Sequence, residues 1–287
     1  MHYSSYKTIL SPNNNMNLFR GCTHGCIYCD SRSDCYQINH PFEDIEVKED
    51  ALEILESQLM RKRKPCMVTT GAMTDPYIQL EERLNITRDS LALLNKYGFG
   101  VSIQTKSTRI LRDLDLLKQI NKKTKAVVQM TLTTYDEELC KILEPYVSTT
   151  YERFETLQVF QKEQIPTIVW LSPVLPFIND SEENLAGVLN YCLKADVKGI
   201  MCFGFGMTLR EGNREYFYQK LERHFPGIKE KYQRAFGNQY ICNSPNHSKL
   251  MKQFINFCQK HQIMWRTDEI FAYLNKFEQK EQQLTLF

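Results

Sequence analysis

The amino-acid sequence predicts an α/β protein in which parallel strands alternate with crossover helices. Between residues 66 and 203 each apolar strand pattern is followed by a helical pattern, with one of each per unit. The chain has 287 residues, of which 42% are hydrophobic, enough for the core of one large barrel-like domain or of two smaller ones. The alternation alone leaves open whether the sheet stays open or closes into a barrel.

Apolar residues at helical spacing define the predicted helices, and short apolar runs that end at turn residues define the strands. In the helix predicted for residues 44–63, for example, Leu55 and Leu59 lie on one face. Gly98 follows the helix predicted for 85–97 and is a typical helix stop. The predicted strands are 66–70, 100–105, 126–132, 167–171 and 199–203. The other predicted helices are 110–120, 151–163, 181–194, 247–261 and 267–280.

Composition limits the classes of protein that fit this sequence. The net charge of +2 is only mildly basic, which permits an anionic partner without indicating one. Ten cysteines, in a chain that begins MHYSSYKTIL without a signal-peptide pattern, favour a reducing compartment and metal chemistry over disulfides. No apolar run approaches the length of a membrane span, so we expect a soluble, cytoplasmic protein without a membrane partner.

Three cysteines stand close together in the segment NLFRGCTHGCIYCD, residues 17–30. Cys22, Cys26 and Cys29 have C-x3-C-x2-C spacing, and neighbouring glycines allow tight turns that bring the thiolates to one metal centre. Iron–sulfur clusters normally take four cysteines, but no further cysteine continues this spacing. Three ligands would leave one iron of a 4Fe–4S cluster open to chelate the amino and carboxylate groups of S-adenosylmethionine. An electron from the cluster could then release a 5′-deoxyadenosyl radical.

Two other interpretations of these cysteines remain open. Cys35 or His24 could complete a structural zinc site, since zinc sites with four cysteines, or with three cysteines and one histidine, are common. Alternatively, the cysteines could be core residues without a metal. His24 lies between two of the three cysteines, where its side chain would struggle to reach the same metal. The tight spacing favours the open iron–sulfur cluster.

The cysteine motif resembles the signature of the radical SAM superfamily, in which an aromatic residue, here Tyr28, precedes the last cysteine. Further motifs narrow the resemblance, over residues 15–210, to the spore photoproduct lyase-related branch: NLFRGCTHGCIYC, TDPY, TKS, the pair Glu144–Pro145 and SPVLPFIND. REGNREYFY at 210–218 and FGNQY…SPN at 236–246 are similar to the group called radical SAM mobile pair protein B. The resemblance implies a partial (β/α)6 TIM-like barrel in which the cluster loop, residues 21–30, follows the first strand.

The resemblance also implies which residues bind the cofactor, and Tyr28 is one of them. Thr74 and Asp75 match a Ser-Asp pair on the cofactor side of the family's site, suited to bonding the ammonium group of S-adenosylmethionine. Lys106 matches a lysine after the third strand and would pair with a carboxylate. Thr131 matches a serine near the same group. For Lys106 the alternative is an ordinary solvated lysine at a strand end.

The sequence departs from the spore lyase pattern at one informative position. Those enzymes have a cysteine hydrogen donor at the start of a CTSD run after the second strand, whereas here the run is AMTD and begins with Ala72. A methyl group cannot return a hydrogen atom, so we do not expect repair of the spore type by the same residue. Free cysteines are usually buried structural residues, so no catalytic residue is assigned among the remaining candidates, Cys35, Cys66, Cys202 and Cys242.

Three regions are predicted: a barrel at 1–210, a helical extension at 211–280 and a short tail at 281–287. The extension carries amphipathic helices that would cover the open edge of a partial barrel. The tail ends in Gln283-Leu284-Thr285-Leu286-Phe287, which resembles the pentapeptide that binds the bacterial sliding clamp. The apolar side chains would fill a groove while the glutamine amide anchors to backbone groups. Alternatively, the tail folds back onto the protein's own surface.

The sequence therefore predicts a radical SAM enzyme that abstracts hydrogen from a substrate. The lyase resemblance and the clamp-like tail favour a nucleic-acid substrate, in DNA repair or modification. Basic runs at 61–64 and 122–125 could touch phosphates, although such runs are more often solvated helix ends. We also expect an electron donor such as flavodoxin or ferredoxin. The alternatives are modification of a peptide or small metabolite, and a non-catalytic metal-binding protein that docks to a partner.

Overall fold

A six-stranded parallel sheet forms the centre of the computed structural model, which describes residues 1–280. In chain order the strands are β1 (His2–Ser4), β2 (Asn15–Met16), β3 (Phe19–Arg20), β4 (Glu46–Lys48), β5 (Met67–Thr70), β6 (Gly100–Thr105), β7 (Ala126–Thr131), β8 (Thr167–Trp170), β9 (Gly199–Met201), β10 (Gly206–Thr208) and β11 (Ile241–Asn243). The central sheet has the order β2-β5-β6-β7-β8-β9, and every neighbouring pair is parallel. Within the described residues β2 and β9 do not pair with each other, so the barrel is partial. The predicted partial (β/α)6 TIM-like fold is confirmed.

Helices connect successive strands of this sheet, as parallel pairing requires. In chain order they are α1 (Ala51–Arg61), α2 (Glu81–Leu84), α3 (Ile86–Lys96), α4 (Leu114–Lys123), α5 (Glu137–Leu143), α6 (Thr150–Lys162), α7 (Glu182–Lys194), α8 (Asn213–His224), α9 (Ile228–Phe236), α10 (His247–Lys260) and α11 (Thr267–Asn275). Local signals define several starts: Ser181 caps α7, and Thr149 forms a capping box with Glu152 at α6. The helices predicted from the sequence agree with α3, α6, α7 and α10 to within one residue at each end.

Other predicted boundaries are wrong. The helix expected from residue 44 begins only at Ala51, because Glu46–Lys48 form β4, which pairs with β1 and β3 in a separate sheet. Helix α4 begins at Leu114 rather than 110, and α11 ends at Asn275, short of 280. The antiparallel pair β10–β11 was not predicted at all. Pairing partners that are distant along the chain stabilise β4, β10 and β11, and such partners leave no mark on local periodicity.

The inner face of the sheet is covered near the amino ends of its strands by α11. Ile270 and Leu274 pack there against Val127, Ile168 and Met201, which belong to β7, β8 and β9. Below them the Lys125 ammonium group, on a side chain that is 1% exposed, donates to the carbonyl oxygen of Tyr273 at 2.7 Å. Within the basic run at 122–125, Lys125 is therefore neither a solvated helix end nor available to phosphates.

Two further observations concern the chain as a whole. No helix among residues 1–280 is both long enough and apolar enough to cross a membrane. The division near residues 210 and 280 stays a prediction, and the clamp-like tail lies outside the described residues.

Candidate functional site

The cluster loop, residues 21–30, follows β3 and lies beside the carboxyl ends of the central strands. Backbone hydrogen bonds attach the loop to two other connections. The Cys22 N–H donates to the Phe42 carbonyl oxygen at 2.9 Å, and the Ile27 N–H donates to that of Leu143 at 3.0 Å. The loop is therefore held at both its entrance and its middle.

Two glycines give the cluster loop its shape. Gly21 has a φ of +83°, and a Cβ atom there would lie 2.4 Å from the Phe42 carbonyl oxygen. Gly25 has a φ of +70°, and its Cβ would lie 2.7 Å from the Tyr146 ring. Tyr146 also donates its backbone N–H to the His24 carbonyl oxygen at 3.2 Å. Because both positions combine a left-handed backbone with a close approach, residues other than glycine would strain the loop.

The three predicted cluster ligands lie in a largely buried setting. Cys26 is 8% exposed, and Cys22 and Cys29 are half-buried. Burial, followed by the charges of Asp75 and Cys29, raises the pKa of Cys22 to about 12. Burial also raises the pKa of Cys26 well above its usual range. Such thiols keep their protons until a metal displaces them, so metal binding here would release protons.

A single zinc ion needs its sulfur ligands close together. Two sulfur ligands of one zinc ion lie within about 4.6 Å of each other, because each Zn–S bond is about 2.3 Å long. Within the described part of the chain, no three ligand atoms that include Cys22, Cys26 or Cys29 all lie within 4.8 Å of one another. Neither Cys35 nor His24 completes such a group among residues 1–280. The three free thiols of one short loop are a donor set that a 4Fe–4S cluster would accept, and their role as its ligands stays a prediction.

A buried network connects the cluster loop to the barrel. The Tyr28 hydroxyl and the Arg153 guanidinium both donate to the Glu144 carboxylate. Arg153 is fully buried and donates also to the carbonyl oxygen of Thr131 at 2.9 Å. Burial alone would raise the pKa of Glu144, but Arg153 and Lys106 outweigh it and hold that pKa below its usual value. Glu144 is therefore an ionised anchor for Tyr28.

Asp75 links the ends of two strands. Its carboxylate accepts hydrogen bonds from the Thr105 hydroxyl and the Lys106 N–H, both at 2.7 Å, and from the Tyr77 N–H at 2.9 Å. His24 Nδ1 lies 3.5 Å from Asp75 Oδ2, and within residues 1–280 the buried Nε2 has no partner. Because a carboxylate offers about four acceptor positions, Asp75 has at most one left for a cofactor. Its cofactor-binding role stays a prediction.

A cavity of about 570 Å³, the cysteine cavity, opens beside the cluster loop. Cys26, Cys29, Tyr28 and Lys106 line one wall, and Lys106 Nζ lies 5.8 Å from the centre of the Tyr28 ring. Burial by itself would lower the pKa of Lys106, but Cys26 and Glu144 outweigh burial and raise it. Lys106 therefore presents a stable positive charge next to the cysteines, and it is not an ordinary solvated lysine.

Aromatic side chains, here called the aromatic wall, also line the cysteine cavity. The ring centres of Trp170 and Phe203 are 5.6 Å apart, and Phe203 is 59% exposed. Tyr240, 44% exposed, lies at the edge of the same cavity. Ala72 also lines it, which puts the position that carries a cysteine in spore lyases at this cavity. The aromatic wall was not predicted from the sequence, because its members come from separate strand ends and from the residues next to β11, which are distant along the chain.

The structure brings together only part of the predicted site. Tyr28 and Lys106 line the cysteine cavity, but Thr74 lines a neighbouring one. Thr131 is 2% exposed, and its carbonyl oxygen is engaged by Arg153. Sequence analysis also missed Arg153, and it noted Glu144 only as part of a family motif. A single sequence does not show that Glu144 and Arg153 are both buried and paired with each other.

Comparison with known proteins identifies the family. The model of the radical SAM superfamily matches residues 16–189, more than half of the chain. An uncharacterized protein of Mycobacterium tuberculosis is 29% identical over 227 residues, which cover 77% of this chain and 66% of the relative. The chain thus spans just under two thirds of the length of that relative.

Solved structures show the same fold. A spore photoproduct lyase complexed with dinucleoside spore photoproduct superposes with a TM-score of 0.61 at 12% identity, over 86% of this chain and 74% of the lyase. Streptococcus suis SuiB, bound to precursor peptide SuiA, gives a TM-score of 0.53 at 11% identity, over 92% of this chain and 48% of SuiB. At these identities the likeness concerns the fold alone. Together with the family match, it shows that the chain belongs to the radical SAM superfamily, whose cofactors are a 4Fe–4S cluster and S-adenosylmethionine.

Proposed function

We propose that this protein is a radical SAM enzyme that abstracts hydrogen from nucleic acid. The observation that carries the proposal is the cysteine cavity, which Cys26 and Cys29 line together with the aromatic wall. Cys22, Cys26 and Cys29 would hold the cluster, and Lys106 would pair with the carboxylate of S-adenosylmethionine. When bound, these cofactors supply a 5′-deoxyadenosyl radical, which abstracts the hydrogen atom.

The aromatic wall supports a flat, unsaturated substrate. An exposed phenylalanine beside a tryptophan has no packing reason to face solvent, which is typical of a binding surface. Phe203 and Trp170 are close enough to form one platform, and Tyr240 and Ile241, 44% and 56% exposed, extend it. Proteins that bind single-stranded nucleic acid stack unpaired bases on platforms of this kind.

Polar side chains in the same cavity support recognition of a base edge. Gln104, Ser172 and Asn243 line the same cavity as the cysteines and the aromatic wall. Amide and hydroxyl groups can both donate to and accept from the ring nitrogens and carbonyl groups of a base. A nucleobase could therefore stack on the rings while its edge is bound by these three residues.

The fold comparison supports nucleic acid but not the spore-type reaction. The lyase of the same fold is complexed with a dinucleoside photoproduct. In this chain the residue at the position of the lyase-type hydrogen donor is Ala72, which lines the cavity but has no transferable hydrogen. The proposal therefore covers hydrogen abstraction from nucleic acid and leaves the residue that returns a hydrogen atom unassigned.

Isotope transfer tests the proposed function directly. Cluster-loaded protein would be reduced anaerobically, with dithionite or with flavodoxin or ferredoxin as electron donor. It would then receive S-adenosylmethionine with deuterated oligonucleotides, lesion-containing or intact, or with deuterated peptides. We expect deuterium to appear in 5′-deoxyadenosine only with oligonucleotides. The proposal would be contradicted if deuterium were transferred only from peptides, or if none of the oligonucleotides transferred deuterium.

A variant of the aromatic wall connects this assay to the cavity. Stacking contributes about 1–3 kcal/mol per base, so Phe203→Ala should lower deuterium transfer by about tenfold. Tyr151→Ala is the matched control, because Tyr151 is 47% exposed but lies on α6 and does not line the cavity. Both variants should contain as much iron as the unaltered protein. Equal transfer in the two variants would remove the aromatic wall from the substrate site.

The tail supports a nucleic-acid substrate from the sequence alone. Gln283, Leu284, Leu286 and Phe287 lie outside the described residues. Deleting 283–287 should abolish binding to the bacterial sliding clamp in a calorimetric titration while leaving iron content and cofactor cleavage intact. If the full-length protein fails to bind the clamp at micromolar concentrations, the tail no longer supports a DNA substrate.

A further inference from the structure

A second cavity, the lysine cavity, adjoins the cysteine cavity. It has a volume of about 250 Å³ and is lined by residues of β3 and β4, of the cluster loop and of the connection after β5. Ser31 lines both cavities, and Ala72 of the first is followed in the chain by Met73 and Thr74 of the second. Because one water occupies about 30 Å³ in the liquid, the lysine cavity has room for a group as large as phosphate.

Lys48 places an unpaired cation in the lysine cavity. Its side chain is 9% exposed and lines the cavity. Within residues 1–280 its ammonium group has no hydrogen-bond or ion-pair partner, and Nζ lies 4.6 Å from the centre of the Tyr6 ring. Burial, followed by repulsion from Arg20, lowers the pKa of Lys48. The Glu46 carboxylate partly opposes this lowering but forms no direct ion pair with Lys48 Nζ within the described residues, so an anion in the cavity would stabilise the buried ammonium group.

Arg20 brings a second positive charge to the lysine cavity. Two backbone carbonyl groups, at 36–37, accept hydrogen bonds from its guanidinium at 2.8 and 3.1 Å and fix its position. Glu46 partly neutralises this charge, because Arg20 Nη1 lies 3.9 Å from Glu46 Oε2 in an ion pair. The Glu46 carboxylate also accepts a hydrogen bond from Tyr6, lies 3.2 Å from His40 Nε2 and does not line the cavity. The charged side chains that line the lysine cavity within the described residues are therefore both cations.

The lining also includes three uncharged polar side chains that, within residues 1–280, make no hydrogen bond. Asn17, Ser31 and Thr74 line the lysine cavity, and in the described part of the chain their side chains make no hydrogen bond. Arginine and lysine together with serine, threonine and asparagine are the side chains that contact phosphate in nucleic-acid complexes. Thr74 is also predicted to lie beside the cofactor's ammonium group, and that role stays a prediction.

We propose that the lysine cavity is a phosphate subsite in which Lys48 and Arg20 hold a backbone phosphate of the nucleic-acid substrate. The proposal rests on the proposed function for the identity of the substrate, and it adds how the strand is positioned. A phosphate in the lysine cavity would hold the strand beside the cluster loop, with a base in the adjacent cysteine cavity. Phosphate contacts of this kind position a strand, and contacts to the base decide which base is accepted.

Binding to the cluster-loaded protein, without turnover, tests the phosphate subsite. A short single-stranded oligonucleotide would be titrated by fluorescence anisotropy at several salt concentrations. Lys48→Met removes the charge at similar size, and we expect it to weaken binding by at least about tenfold. The slope of log K against log salt should fall by about 0.7, the contribution of one phosphate contact on a single strand. Unchanged affinity and slope would overturn the proposal.

Three further variants make the result specific. Lys48→Arg keeps the charge and should restore most of the affinity and the slope. Lys48→Gln should show the same loss of oligonucleotide affinity as Lys48→Met. It replaces Lys48→Met in the test if iron content and melting temperature show that Lys48→Met does not fold. Lys260→Met is the matched control, because Lys260 is an exposed lysine at the end of α10, outside both cavities. Lys260→Met should change neither the oligonucleotide affinity nor the slope of log K against log salt.

The outcomes separate the phosphate subsite from the proposed function. Oligonucleotide binding that depends on Lys48, without deuterium transfer, would support the subsite and contradict hydrogen abstraction from nucleic acid. If the unaltered protein binds no oligonucleotide, inorganic pyrophosphate would be titrated into it and into Lys48→Met. Pyrophosphate binding that is lost in the variant would retain a phosphate subsite for another phosphorylated ligand. The absence of any binding that depends on Lys48 would overturn the subsite.

Discussion

The two ends of the partial barrel bury different kinds of side chains. At the carboxyl ends of the strands, Glu144 and Arg153 form a buried ion pair beside two cavities with unpaired polar groups. Toward the amino ends, Ile270 and Leu274 of α11 fill the inner face with apolar contacts. Helix α11 therefore makes mainly apolar contacts and reaches the aromatic wall through Phe271, whose ring centre lies 6.4 Å from that of Phe203, whereas positioned charges surround the cluster loop.

The apolar contacts of α11 and the buried ion pair near the cluster loop contribute differently to stability and to function. Apolar burial stabilises the folded state in proportion to the area removed from water. A buried ion pair adds little to stability compared with apolar residues of the same shape, although removing one partner is strongly destabilising. We infer that α11 stabilises the barrel, whereas the Glu144–Arg153 pair serves to hold Tyr28 and the cluster loop in position.

The largest effect should come from the cluster loop. Replacing Cys22, Cys26 and Cys29 together by alanine should abolish iron binding, visible absorbance and cofactor cleavage, because no cluster ligand remains. Helical content should persist, since the contacts of α11 lie elsewhere. Iron analysis and circular dichroism of anaerobically purified protein check both expectations. Cys35→Ala is the control and should keep its iron, and a triple variant that retained iron would show that the ligands are misassigned.

The next largest effect should follow from breaking the buried ion pair. Arg153→Met leaves the Glu144 charge buried without a partner, so the free energy of unfolding should fall by about 3–5 kcal/mol. Denaturant titration measures this change. Combining Arg153→Met with Glu144→Gln should recover part of the loss. Lys141→Ala, which breaks an exposed pair with Glu138, should cost less than about 1 kcal/mol. A similar small loss in Arg153→Met would mean that the pair does not hold the loop.

A cavity in the apolar end should reduce stability without affecting the chemistry. Ile270 is 0% exposed, so Ile270→Ala should lower the free energy of unfolding by about 2–5 kcal/mol. Cluster absorbance and affinity for S-adenosylmethionine should stay unchanged in the folded variant. Glu269→Ala, at an exposed position on the same helix, should stay within about 0.5 kcal/mol of the unaltered protein. A loss of cofactor affinity in Ile270→Ala would show that the two ends are coupled.

The smallest effect should come from the lysine of the cysteine cavity. A hydrogen bond to a charged group contributes about 1.5–3 kcal/mol, so Lys106→Ala should weaken binding of S-adenosylmethionine by at least about tenfold. Calorimetric titration of the cluster-loaded protein measures the affinity, and stability should change little. Lys96→Ala, with a side chain that is 61% exposed on α3, should bind the cofactor normally. Normal binding by Lys106→Ala would remove this lysine from the cofactor site.

Local features of this protein could be predicted from the sequence alone. The strand predicted for 100–105 coincides with β6, and α10 differs from its prediction by one residue. The C-x3-C-x2-C motif lies within one short loop, so its spacing could be interpreted without knowledge of the fold. Helical periodicity, strand patterns and motif spacing all depend on neighbours along the chain, and those neighbours are printed in the sequence.

Other features were decided only by the tertiary structure. Tyr28 and Glu144 are 116 residues apart in the chain, and the fold brings them into a hydrogen bond. Lys48 belongs to a segment predicted as a helix, yet it lies on β4 and lines the lysine cavity. The partner of a buried charge, and the side of a sheet that a helix covers, depend on contacts between distant segments. A single sequence does not show which distant segments come into contact. Only the folded chain therefore reveals the two cavities and the network that holds the cluster loop.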